Sequence, residues 1–182
     1  MKNLTKLLVM IVVLCLTTQL VWADEKVPVL KVGDSAPTFF LRDLDGENFF
    51  LSKTIKQKQV IVLSFYATWC IPCRTEIPAY EKLLAETEFE AVKLIYIHVG
   101  EPKVKMEDPK AGIELIHKMK ANLKMSHPIL FDRYGVVADK YGASSLPTTV
   151  VIGPDGKVHY YHSGFKPGDG AKVKEVLLKI LK

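Results

Sequence analysis

Residues 59–66 (QVIVLSFY) form an almost unbroken β-branched and aromatic run, and Cys70-Ile71-Pro72-Cys73 follows directly behind it. A strand with so little polar alternation is buried on both faces, which suits a parallel sheet covered by helices on each side. Beyond the cysteines, Ile77, Tyr80, Leu83 and Leu84 recur at helical spacing with charges between them. That pattern predicts a helix over 71–90, kinked at Pro78. Strand, CxxC and helix in immediate succession restrict the fold more than any other feature of the chain.

The rest of the sequence extends this unit. Residues 91–99 (AVKLIYIHV) read as a second central strand, 110–123 as a helix and 128–131 as a short strand, which is a right-handed parallel crossover. Upstream, short β-type runs at 39–41 and 48–50 flank Asp45-Gly46, a hairpin signal. Downstream come a short helix over 135–141 and two strands, 148–152 and 158–162, around the turn Pro154-Asp155-Gly156. An amphipathic helix over 169–181 closes the chain. The expected class is α/β, with a central mixed sheet flanked by helices and an extra N-terminal β-hairpin.

The N-terminus sets the compartment. Lys2 and Lys6 precede the apolar run 7–16, and the segment ends on Val21-Trp22-Ala23, the order of a secretory signal peptide. Residues 1–23 are therefore expected to be a signal peptide cut before Asp24, or an uncleaved membrane anchor. Leu14 before Cys15 departs from the small residue of a lipobox, so lipidation is the weaker reading. Residues 24–32 read as a short tether and 33–182 as one domain. Lysines interleaved with Glu86, Glu88 and Glu90 exclude a nucleic-acid stripe despite the net charge of +5.

Of the three cysteines, Cys15 lies in the leader, and Cys70 and Cys73 remain. A bridge between them closes almost no loop and stabilises little, so the pair reads as chemistry rather than as a staple. A cysteine at a helix N-terminus meets unpaired N–H groups and the positive end of the macrodipole, both of which favour the thiolate. Cys70 is the expected nucleophile, with its pKa lowered from about 8.5 toward about 7 or below. Cys73, almost one turn further on, is expected to resolve the mixed disulfide. Trp69 and Pro72 would shape the turn and limit access. A zinc site lacks two further ligands at suitable spacing, and haem attachment would need His where Arg74 stands.

Three motifs, Gly33-Asp34-Ser35-Ala36-Pro37 with 41–46, then 64–78 (SFYATWCIPCRTEIP), then 145–158 (SLPTTVVIGPDGKV) with Gly164, resemble the TlpA/ResA-like branch of the thioredoxin superfamily. The resemblance implies a thioredoxin-like fold, export, and reduction or exchange of disulfides in proteins by the two motif cysteines. It also implies a cis Pro147 beside Cys70; a trans Pro that merely starts a strand is the alternative. A cis Pro147 would expose the Ser145 and Leu146 backbone to an extended substrate peptide.

Glu76 lies three residues after Cys73, on the same helical face. It is either a proton partner for Cys73 or an acid favoured by the helix dipole. Thioredoxin has a buried Asp six residues before its first cysteine, and Ser64 stands there in this chain. A hydroxyl cannot replace an acid, which favours Glu76 for that duty. The loop 101–110 (EPKVKMEDPK) leaves the second strand on the edge that bears Cys70; Lys103 and Lys105 could contact an acidic substrate or simply be solvated.

The function expected is that of a thiol-disulfide oxidoreductase in the periplasm or on the extracytoplasmic face of the cytoplasmic membrane. Its substrates would be exported proteins, apocytochromes c by family resemblance, and a membrane thiol donor would recharge it without any cofactor. Two rivals are a thiol peroxidase, whose PxxxTxxC pattern the residues 64–70 do not reproduce, and a copper chaperone for oxidase assembly using Met106, Met119 or Met125.

Overall fold

The computed structural model describes residues 30–100 and 109–182. The leader 1–23 and most of loop 101–110 lie outside those residues, and among the described residues no helix is long and apolar enough to cross a membrane. A hairpin of β1 (Phe40–Arg42) and β2 (Asn48–Phe50) leads into α1 (Leu51–Lys56). Then follow β3 (Val60–Tyr66), α2 (Cys73–Leu84), a 3-10 turn (Thr87–Phe89), β4 (Val92–Val99) and α3 (Pro109–Leu123). The chain ends with β5 (Ile129–Asp132), α4 (Val136–Lys140), β6 (Thr148–Ile152), β7 (Val158–Ser163) and α5 (Asp169–Ile180).

The main sheet has the order β5-β4-β3-β6-β7. β3 runs parallel to β4, β4 parallel to β5, and β6 antiparallel to both β3 and β7. The central strand β3 is buried at every position, as its composition requires. Alternation along it divides the core in two. Val60, Val62 and Tyr66 face a layer with Ile77 and Tyr80 of α2, Ile116 and Met119 of α3, and Val173 and Leu177 of α5. Ile61, Leu63 and Phe65 face Leu51, Val137, Tyr141 and Phe39 on the other side. Burial of each of these aliphatic and Phe side chains contributes about 1.5–3 kcal/mol through removal of apolar surface from water. Met119 and Met125 are core residues. Leu30, inside the segment read as a tether, is also buried against the second layer.

Two sequence expectations are corrected. The helix behind the cysteines spans Cys73–Leu84 rather than 71–90, because Ile71 and Pro72 form the entry turn and the backbone is extended at Glu86. It continues through Pro78. The helix α1 was not anticipated; it begins straight from β2 with no side-chain cap.

Asp132, buried at the end of β5, accepts from the N–H groups of Val137 (2.9 Å) and Ala138 (2.8 Å) and so holds the first turn of α4. Asp132→Ala should cost about 1–2 kcal/mol of stability, read as a lower urea midpoint with unchanged slope.

Candidate active site

The site forms where β3 ends. Phe65 pairs with Thr148, so the turn that follows Tyr66 and the loop that precedes β6 emerge at the same end of the sheet. Cys70 and Cys73 are joined in a disulfide. Cys73 is fully buried and Cys70 is 3 % exposed, whereas Trp69 and Ile71 around them are 50 % and 78 % exposed. An almost completely buried sulfur pair is thus flanked by exposed apolar side chains. Pro72 is exposed and starts the helix; its carbonyl accepts from Thr75 and Glu76. The N–H of Cys73, the first residue of α2, donates to Cys70 Sγ at 3.3 Å. A helix-terminal amide therefore points at the sulfur whose negative charge it would stabilise. Arg74 Nη2 donates to the Thr68 carbonyl and braces the turn from outside.

The Leu146–Pro147 peptide bond is cis, as the resemblance implied. Pro147 is buried and its carbonyl accepts from Gly164 N–H at 2.7 Å. Leu146 packs against the apolar layer that contains both cysteines. Ser145 is exposed, but its carbonyl already accepts from the Thr148 hydroxyl (2.6 Å) and the Ser163 hydroxyl (3.4 Å). The Ser145 carbonyl is thus already engaged within the fold.

Glu76 is wholly buried one turn into α2, in the same layer as Cys73. Ser64 of β3 donates to its Oε1 at 2.5 Å, and Thr149 of β6 donates to its Oε2 at 3.0 Å. Burial pushes its pKa up to about 7, opposed by these two hydrogen bonds. The carboxyl can thus take or release a proton near neutrality. Tyr80, one turn further along α2, bonds Thr149 Oγ1 at 3.0 Å, and burial pushes its own pKa up. Sequence reasoning found Glu76 and singled out Ser64, but missed Thr149 and Tyr80. Among the described residues no cluster of three or more His, Cys, Asp or Glu could hold a metal ion.

The AhpC/TSA family matches residues 32–161. ResA, a thiol-disulfide oxidoreductase of Geobacillus thermodenitrificans, is 35% identical over 127 residues, spanning 70% of this chain and 66% of that one. ResA of Bacillus subtilis is 31% identical over 150 residues, spanning 75% of this chain and 77% of the other. This chain belongs to the AhpC/TSA family. Within that family it is a thiol-disulfide oxidoreductase of the ResA and DsbE type. A putative thiol:disulfide interchange protein DsbE from Chlorobium tepidum superposes with a TM-score of 0.70 at 29% identity, over 84% of this chain and 99% of the other. StoA of Bacillus subtilis, at 19% identity and a TM-score of 0.60, shares the fold over 78% of this chain and 96% of its own. This ResA-like chain thus carries its Cys70–Cys73 disulfide on a thioredoxin-like fold.

Proposed function

We propose that this oxidoreductase is exported and reduces disulfides in other extracytoplasmic proteins, with Cys70 as nucleophile, Cys73 as resolving thiol and Glu76 as proton acceptor for Cys73. The observation that carries the reading is the Cys73 amide aimed at Cys70 Sγ, a donor that would favour a Cys70 thiolate once the disulfide is reduced. The signal-like order of residues 1–23 supports export.

In the reduced enzyme the Cys70 thiolate attacks a substrate disulfide, forming the Cys70–substrate bond and releasing one substrate thiolate. Cys73 then gives its proton to Glu76 and attacks Cys70 Sγ. The second substrate thiolate leaves, and the Cys70–Cys73 disulfide remains. Trp69 and Pro72 form the rim, while Leu146 and Pro147, with Ser145 beside them, align the substrate backbone. A membrane thiol donor returns the enzyme to the dithiol. Apocytochromes c are the substrates that the family resemblance implies.

Cys73→Ala tests this in cells, since the mixed disulfide on Cys70 can no longer resolve. Exported proteins carrying cysteine pairs should be captured in dithiothreitol-sensitive adducts. The reading fails if no adduct forms and the wild-type enzyme leaves a model protein disulfide oxidised.

A further inference from the structure

A substrate joined to Cys70 has chain on both sides of its cysteine, and the Pro147 loop lies to only one side of β3. In the sheet order β5-β4-β3-β6-β7, Pro147 leads into β6, whereas α3 follows β4 on the opposite flank. Between the cysteine turn and α3 lies a groove of about 250 Å³. We propose that this groove is a specificity subsite, which takes an apolar side chain and the carboxylate of an adjacent residue from the polypeptide held on Cys70. The inference rests on Cys70 forming a mixed disulfide with a polypeptide substrate.

The groove is continuous with the reaction centre. Thr68 and Arg74, which bracket the motif in sequence, form its near wall. Arg74 Nη2 donates to the Thr68 carbonyl at 3.2 Å, so that wall is tied to the turn that presents Cys70. The exposed Trp69 follows Thr68 directly. The far wall is α3, where Leu115, Met119 and Leu123 stand at i, i+4 and i+8 and so share one helical face. Met119 is buried, Leu123 is partly buried and Leu115 is 39 % exposed, an apolar floor that the fold leaves incompletely covered. Lys118 and Asn122, both exposed, form the adjacent row on the helix.

Size and charge identify the occupant. The groove is smaller than the roughly 300–1,000 Å³ of pockets that hold small molecules and cofactors, and it suits one or two side chains of a longer chain. Its free charge is positive. Lys118 is paired with the Glu114 carboxylate at 2.7 Å, but Arg74 has no carboxylate partner among the described residues and keeps guanidinium donors for one. The two walls contribute unequally. Burying a Leu-sized side chain on the floor changes affinity by about tenfold or more, while an exposed ion pair to Arg74 changes it by about fivefold at most. The floor therefore supplies binding, and Arg74 selects the acidic neighbour.

The test uses reduced full-length enzyme carrying Cys73→Ala, and peptides whose single cysteine bears a 2-thiopyridyl cap. Attack by the Cys70 thiolate forms the Cys70–peptide disulfide, breaks the S–S bond of the cap and releases pyridine-2-thione, so each peptide gives one second-order rate constant. The peptides carry Leu-Glu, Ser-Glu or Leu-Lys at successive offsets before or after the cysteine. At one offset, Leu-Glu should react about tenfold faster than Ser-Glu and about fivefold faster than Leu-Lys. Adding Leu115→Ser should lower the first ratio about threefold, and Arg74→Glu should reverse the second. A turn loosened by loss of the Arg74–Thr68 bond slows all peptides together and leaves the ratios unchanged. The subsite is overturned by a Glu preference equal at every offset, which is general attraction to a basic chain, by equal rates for Leu-Glu and Leu-Lys, or by ratios that survive both substitutions. If no peptide forms an adduct on Cys70, the role of Cys70 as nucleophile falls and the subsite with it.

Discussion

Cys70→Ser should reduce multiple-turnover reduction of a protein disulfide on the order of 10³-fold or more, to the rate of the thiol reductant alone. A serine hydroxyl is not ionised near neutrality, and the Cys73 amide that would stabilise a Cys70 thiolate cannot convert it into a comparable nucleophile. Cys73 cannot substitute, because it is fully buried beneath the motif. Cys73→Ala should behave differently, giving one stoichiometric release of substrate thiol and then a stable adduct. Thiol release with each variant, followed against time, separates the two roles. Equal steady rates for wild type and Cys70→Ser would exclude Cys70 as the nucleophile.

Glu76→Gln should change both rate and stability, with opposite usefulness to the protein. On the proposed mechanism the carboxylate form accepts the Cys73 proton, so the wild-type resolving rate should rise with pH through about 7 and then level. In Glu76→Gln that inflection should vanish and the rate should fall by about 10²-fold. Stability moves the other way. Folding raises the Glu76 pKa from 4.5 to about 7, so the native state binds the proton more tightly than the unfolded chain. The stabilisation from the neutral acid is complete below 4.5, declines as pH rises, and is lost once pH passes about 7. The loss amounts to about 3 kcal/mol. Urea unfolding of the oxidised protein should therefore show Glu76→Gln gaining on wild type by about that amount between pH 4 and pH 8. Parallel pH profiles for the two proteins would contradict the raised value.

Most of the fold was legible because its signals are strong and local. The β-branched run at 60–66, the Asp45-Gly46 and Pro154-Asp155-Gly156 turns and the periodic α5 each state their conformation within a few residues. Gly156 adopts a left-handed φ of 75°, as such a turn requires. The helix α1 was not legible, since Leu51–Lys56 has neither a capping side chain nor enough length for a period to show. The reach of α2 was overestimated because charged residues after Leu84 resemble a solvated helical face.

The site was legible where chemistry sets residue type and not where packing sets geometry. Cys70, Cys73 and Pro147 announce themselves by motif. Ser64 was noted only as a missing acid; the fold instead places its hydroxyl against the acid that lies twelve residues later. Thr149 sits in TTVVI, where a β-branched Thr is an ordinary strand residue, and Tyr80 counted as one apolar position of a helix. Only the pairing of β6 with β3, beneath α2, brings the Thr149 hydroxyl to both Glu76 and Tyr80.

The most direct measurement mixes the reduced enzyme with one equivalent of a protein carrying a single accessible disulfide, quenches with an alkylating agent, and weighs both chains. The account predicts that Cys70 and Cys73 lose their labels together while the partner gains two, in equal amounts. A partner that stays unlabelled while Cys70 and Cys73 both remain alkylated would contradict it.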